Sequence, residues 1–206
     1  MINIISAGRK LATSLILLSF AGALMAANSI PTTYIKSDLD LTKYNKVMVK
    51  PLDMDNAEVL KPSWEQGSTE EWVFEKGVGE DIQKYFMDAM HQQLEEVGGY
   101  PLVTKSGPDV LRVEVEVLSI TPYTKPGTQS GDEKGFKIQT LGSGDLVISA
   151  EFRDSQTREL LILAEGERVI GDEYKTLSPE NHIKNLKSLF SDWGKKIRDS
   201  LDKGRD

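Results

Sequence analysis

There is no cysteine anywhere in the 206 residues. That single absence excludes thiol nucleophiles, cysteine-ligated zinc, iron–sulfur clusters, disulfides and thioether lipidation together. Histidine is scarce as well, with two copies in the chain. His91 and His182 have no second histidine at metal-ligand spacing, and no HExxH pattern is present. Each reads as a surface or internally satisfied histidine. Positive charge is in deficit, with 25 Lys+Arg against 32 Asp+Glu and a formal net charge of −7. A phosphate backbone is held by a basic stripe that releases counterions, so this balance argues against nucleic acid as a partner. Phosphate cradles are missing too. Gly77-Val78-Gly79 lacks the third glycine of a dinucleotide loop and the Lys-Ser/Thr of a P-loop, and Ser143 does not sit in a Gly-x-Ser-x-Gly elbow. No catalytic, metal-binding or cofactor-binding residue is assigned, and no cofactor is expected.

What is present begins with an export signal. Arg9 and Lys10 are the sole charged side chains before Lys36. They precede an uncharged stretch over 11–27 that holds Leu15-Ile16-Leu17-Leu18 and ends in small residues. A positive start, a short apolar run and a small-residue end describe a secretory signal peptide. Residues 1–26 are therefore expected to be removed after Ala26. A lipoprotein signal needs a cysteine at the cut, so the exported product is expected to be periplasmic and not lipid-anchored. The stretch is short and diluted for a retained membrane span, and no transmembrane helix is expected after cleavage. Losing Arg9 and Lys10 leaves 23 bases against 32 acids.

Along the mature chain, residues 27–44 read as an extended lead-in and 45–203 as one domain. Val47-Met48-Val49 makes a short strand closed by Pro51. Residues 53–76 are acidic, carry Trp64 and Trp72, show no clean period and read as a loop or short helix. Each tryptophan either stacks on a sugar or partner or folds back as a lid. Over 77–97, Ile82, Phe86, Met90, Leu94 and Val97 recur at helical spacing, and Gly98-Gly99 stops the helix. Residues 100–103 read as a short edge strand, because Pro101 cannot donate to a ladder. In 109–120, Leu111, Val113, Val115 and Val117 alternate with Arg112, Glu114 and Glu116. That is a strand with one buried and one wet face. Residues 121–145 are rich in Gly and Pro and read as a long loop. A second alternation, Leu146 to Phe152, turns through 154–158 and returns over 159–170 as a hairpin. Ser178, Pro179 and Glu180 open a C-terminal helix with a good cap, and Ile183, Leu186, Phe190, Trp193, Ile197 and Leu201 form its apolar stripe.

This order predicts an α+β fold: a two-layer sandwich with a mixed, mostly antiparallel sheet and two helices packed on one face. The opposite sheet face is then wet. Arg112, Glu114, Glu116, Arg153 and Arg168 are placed there as a cross-strand charge ladder and as the candidate contact surface for a partner, with the 121–145 loop at its rim.

Two segments also carry a resemblance. DVLRVEVEVLSITP over 109–122 and GDLVISAEFRDSQTRELLILAEGERVIG over 144–171 resemble a family of bacterial envelope proteins, domain of unknown function 3313. Arg153, Asp154, Thr157, Glu159, Leu160 and Arg168 occupy the matching positions, and the lead-in with Tyr44 and the VMVKP strand fits as well. Many relatives look like lipoproteins, and this chain departs from them in lacking the cysteine. The resemblance implies an envelope compartment and no established activity.

The functional expectation is a non-catalytic exported envelope protein, a binding or assembly module for an envelope protein or cell-wall component. The alternatives are a periplasmic small-ligand or glycan binder and a carboxylate-dependent hydrolase. A concave pocket of paired carboxylates with perturbed titration would favour the hydrolase.

Overall fold

The computed structural model describes residues 30–67, 69–74, 77–124 and 139–203. The expected signal peptide and most of the 121–145 loop lie outside the described residues. The strands are β1 (Thr32–Ile35), β2 (Lys46–Val49), β3 (Glu58–Val59), β4 (Val110–Pro122), β5 (Gln139–Leu141), β6 (Gly144–Asp154), β7 (Leu160–Val169) and β8 (Tyr174–Thr176). The long helices are α1 (Val78–Met90) and α2 (Pro179–Asp202).

The main sheet runs β1-β7-β6-β4-β2, with β3 also beside β4. Pairing is antiparallel at β4–β6, β6–β7 and β7–β1, and parallel at β2–β4 and β3–β4. Parallel neighbours need a crossover of a dozen residues or more, and α1 lies in the one between β2 and β4. The architecture is the α+β sandwich expected from the sequence. The lead-in contributes more than a tether. Its β1 pairs Thr32 with Ala164 and Ile35 with Ile162, so the sheet begins well before Lys46. Lys36 anchors this segment through Glu159 at 3.1 Å.

The apolar half of each alternation faces the helices. Leu111, Val113, Val115 and Val117 of β4 are buried with Leu146, Ile148 and Ala150 of β6, against Ile82, Phe86 and Met90 of α1 and Leu186, Phe190 and Trp193 of α2. Phe190 sits edge-on between Phe86 and Trp193, at ring distances of 5.5 and 5.3 Å. The helices cross closely at Gly194, where a Cβ would stand 2.8 Å from Cβ of Gln93. Ser178 caps α2, its Oγ accepting the Asn181 N–H at 3.2 Å.

Two local expectations are corrected. The first helix does not stay α-helical to residue 97. After Met90 it widens into a π-helical turn, His91–Val97. The extra residue per turn slips the stripe, so Leu94 remains buried while Val97 is 61 % exposed. Residues 100–103 do not form a full strand. Leu102 makes one parallel bridge to Val47, flanked by bonds from Val47 N to Pro101 O and from Val103 N to Val47 O. Pro101 lacks the N–H that would extend the ladder.

The turn between β6 and β7 holds Arg158 at φ 66°, in the left-handed region that an L side chain occupies at a cost. Arg158→Gly should therefore raise stability by about 0.5–1 kcal/mol, glycine's greater unfolded-state entropy offsetting part of the relief. A thermal melt of the two proteins checks this, and an unchanged or lower midpoint would count against the strain.

Candidate functional site

The sheet face turned away from the helices carries most of the residues singled out by sequence. Across β4 and β6 the register sets Arg112 opposite Arg153, Glu114 opposite Glu151, and Glu116 opposite Ser149. Like charges thus face each other directly, an arrangement that is unfavourable by itself. The compensation runs along each strand. The Arg112 guanidinium bonds Glu114 two residues on, and Arg153 Nε bonds Glu151 at 2.7 Å. Bonding to Arg112 holds the Glu114 carboxyl below its ordinary range against the opposing effect of burial, and Arg158 and Arg153 add attraction. Arg112 is 9 % exposed and its Nη1 also reaches Sδ of Met48 at 3.6 Å. Arg153 Nη1 donates to the Arg158 carbonyl at 2.9 Å, bracing the hairpin turn. Both arginines are committed to intramolecular partners.

Arg168 does not join them. It pairs in register with Leu146, a fully buried core residue, so it points to the helix side of the sheet. Burial depresses its guanidinium, and burial likewise depresses the Lys196 ammonium of α2, with Asp192 opposing this and Arg168 adding to it. The expected five-residue contact surface is therefore four residues on one face and one on the other. The signal was available: Glu165 and Glu167 face the open side, and strand alternation sends Arg168 the opposite way.

The open face gains a wall that the sequence did not reveal. After β2 the chain continues beside β4, with Asp53 N bonding Val115 O and Val117 N bonding Asp53 O, at 2.9 and 2.8 Å. Gln83 of α1 ties the segment down through Leu52 O at 2.9 Å. Between this wall and the β4–β6 face lies an open depression of about 450 Å³. Its charged lining is Lys50 against Asp53, Asp55, Glu114, Glu116 and Glu151. Among the described residues no group of three or more His, Asp or Glu is placed to hold a metal ion.

The two tryptophans part ways. Trp72 is buried, as a lid would be. Trp64 stays 57 % exposed and meets the Tyr123 ring edge-on at 5.2 Å. Tyr123 in turn bonds Asp145, whose carboxyl is raised by burial and by the neighbouring charge of Glu167, the tyrosine bond opposing this. This raised carboxyl stands outside the lining of the depression.

The histidines are accounted for locally. His91 meets Glu95 at 2.9 Å on the π-helical turn. His182 Nδ1 lies 3.0 Å from Ser143 Oγ, which donates to the Ile170 carbonyl and also receives Asn185 Nδ2. Ser143 is 4 % exposed and acts as a staple between α2 and the turn before β6.

Of the positions that carry the family resemblance, Arg153, Asp154, Thr157 and Glu159 build the hairpin turn. Asp154 Oδ1 accepts the N–H groups of Gln156 and Thr157 at 3.0 and 2.9 Å. Its Oδ2 receives Lys43 Nζ and Tyr44 OH, each at 3.0 Å.

The family model for a protein of unknown function, DUF3313, matches residues 25–197. No curated protein matches the chain. Among solved structures, the chain is similar to a PelC dodecamer subunit from Paraburkholderia phytofirmans, at 10 % identity and TM-score 0.41, covering 83 % of this chain and 97 % of that one. It is similar to protein XCC0632 from Xanthomonas campestris, at 7 % identity and TM-score 0.48, covering 86 % and 95 %. A third is a neuraminyllactose-binding hemagglutinin homolog from Helicobacter pylori, at 12 % identity and TM-score 0.32, covering 82 % and 89 %. No helix of the described residues is long and apolar enough to cross a membrane.

Proposed function

We propose, for a chain that belongs to the DUF3313 family of proteins of unknown function, the role of an exported, non-catalytic module of the bacterial envelope that holds a basic segment of a partner protein on its open sheet face. The signal-like residues 1–26 supply the route to the periplasm, and the absence of cysteine from the sequence fits a product without a lipid anchor.

The observation that carries the reading is the charge imbalance of the depression. Arg112 and Arg153 are already neutralised by Glu114 and Glu151, so the surplus belongs to Asp53, Asp55 and Glu116, with Lys50 the cation in the lining. Such a surface steers a Lys- or Arg-rich segment and fixes its register more than it adds raw affinity. The hydrolase alternative finds less support. It asks for a raised carboxyl at the floor of a concave site, whereas Asp145 sits by Tyr123 and Glu114 is held low.

A deca-lysine peptide should bind the mature protein with an affinity that falls as salt rises. The double reversal Asp53→Lys with Glu116→Lys should weaken it about ten-fold or more while leaving the circular dichroism spectrum unchanged. Equal binding by the reversed protein would overturn the proposal.

A further inference from the structure

The acidic face does not end at the depression. Ser149 lines the depression, and the next open-face positions along β6 are Val147 and Asp145, which puts Asp145 about 13 Å farther along the strand. On β7, Glu165 lies opposite Ser149, Glu167 opposite Val147, and Val169 opposite Asp145. The register thus carries the surplus of acid toward the far end of the sheet.

There it meets aromatic surface. Trp64, on the short helical turn Ser63–Glu65, is 57 % exposed and meets the Tyr123 ring edge-on, with 68° between the ring planes. Tyr123 follows β4, whose Thr121 lies opposite Asp145, and its hydroxyl bonds the Asp145 carboxyl. Tyr123 therefore stands between an open indole and a carboxylate. The charge that acts on Asp145 is another acid, Glu167, and neither carboxylate is in an ion pair among the described residues. Val169, 40 % exposed, adds hydrocarbon beside them.

Two carboxylates on neighbouring strands repel, and a cation set between them removes that cost. An exposed indole attracts a cation to its face through the ring quadrupole. Arginine answers both demands. Its planar guanidinium engages carboxylates through a fork of donors and stacks on aromatic rings, whereas a lysine ammonium is a strongly hydrated point charge. A sugar would use the ring, but its hydroxyls would not neutralise the pair of acids.

We propose that this end of the open face is an arginine-selective seat for the partner's basic segment, with the guanidinium held by Asp145 and Glu167 and stacked on Trp64. The inference rests on the reading of the depression as the place where that segment lies, and adds which residue specifies it. The distance between the two corresponds to about four extended residues, so one segment reaches both.

Titration of the mature protein with deca-arginine and with deca-lysine, read by calorimetry and by tryptophan emission, tests the seat. Deca-arginine should bind about ten-fold more tightly than deca-lysine. Trp64→Ala and Glu167→Gln should each weaken deca-arginine about five-fold or more, and Trp64→Ala should change deca-lysine by less than about two-fold. Trp72 and Trp193 are buried, so deca-arginine should shift the emission of the wild type and not that of Trp64→Ala. Deca-arginine binding that equals deca-lysine binding, or that Trp64→Ala leaves unchanged, would overturn the seat and leave the depression reading standing. No binding of deca-lysine, with Trp64-dependent binding of deca-arginine kept, would overturn the depression reading alone. Failure of both peptides to bind would overturn both. A neutral trisaccharide, maltotriose, that shifts the Trp64 emission while deca-arginine does not would show that the ring serves a sugar, and would overturn the seat as well.

Discussion

Asp154→Ala should destabilise the protein by about 3 kcal/mol at neutral pH, the range set by removing one buried, multiply bonded carboxylate. Asp154 is 5 % exposed and accepts four hydrogen bonds, from Lys43, Tyr44 and the N–H groups of Gln156 and Thr157. Burial pushes its pKa up, yet the bonds from Thr157, Lys43, Tyr44 and Gln156 outweigh it, and the carboxyl is held far below its ordinary range. The side chain thus joins three pieces of chain: the lead-in, the end of β6 and the turn that follows it. Alanine leaves the turn without its acceptor and Lys43 without its ion pair.

The pH dependence has a definite sign. A depressed folded-state pKa contributes stability that is complete above the unfolded value, about 3.9, and is lost as pH falls toward the folded value. The gap between wild type and Asp154→Ala in urea denaturation should therefore be full at neutral pH and narrow below about pH 4, because the wild type weakens. A gap under about 1 kcal/mol at neutral pH would mean that the turn does not depend on this acceptor.

That result would also say what the family signature is for. In the sequence Arg153 is placed on the contact face, and Asp154 and Thr157 in the turn that follows it. In the fold, Arg153 braces the Arg158 carbonyl, Asp154 holds the turn, and Thr157 Oγ1 receives the Glu159 N–H at 3.3 Å. They are the scaffold of a hairpin. Local alternation made β4, β6 and β7 legible, and the Ser178 cap with its following stripe made α2 legible, since both depend on near neighbours in sequence. The depression was not legible. Its wall depends on residues 50–55 tracking β4 in parallel, a long-range pairing with no periodic mark. β1 was hidden for the same reason, being a four-residue edge strand whose partner lies some 130 residues away. Charge places Arg168 on the wet face, whereas the pleat turns it to the helix side.

Val115→Asp should be the most damaging single change, costing about 4 kcal/mol or more. Val115 is 5 % exposed at the middle of β4, opposite Ala150, with the core of both helices above it. A carboxylate there loses its hydration and gains no cation, since Arg112 and Arg153 point to the other side of the sheet. Such a group takes up a proton rather than stay charged, so its folded pKa rises above the unfolded value. The sign is then the reverse of that for Asp154: the penalty grows as pH rises past about 4 and shrinks as pH falls below it. Both variants approach the wild type in acid, but by different routes. For Asp154→Ala the wild type comes down, whereas for Val115→Asp the variant itself recovers. Urea midpoints of all three proteins across that range separate the two cases. A Val115→Asp protein that melts with the wild type at neutral pH would show that this face of β4 is not the buried one.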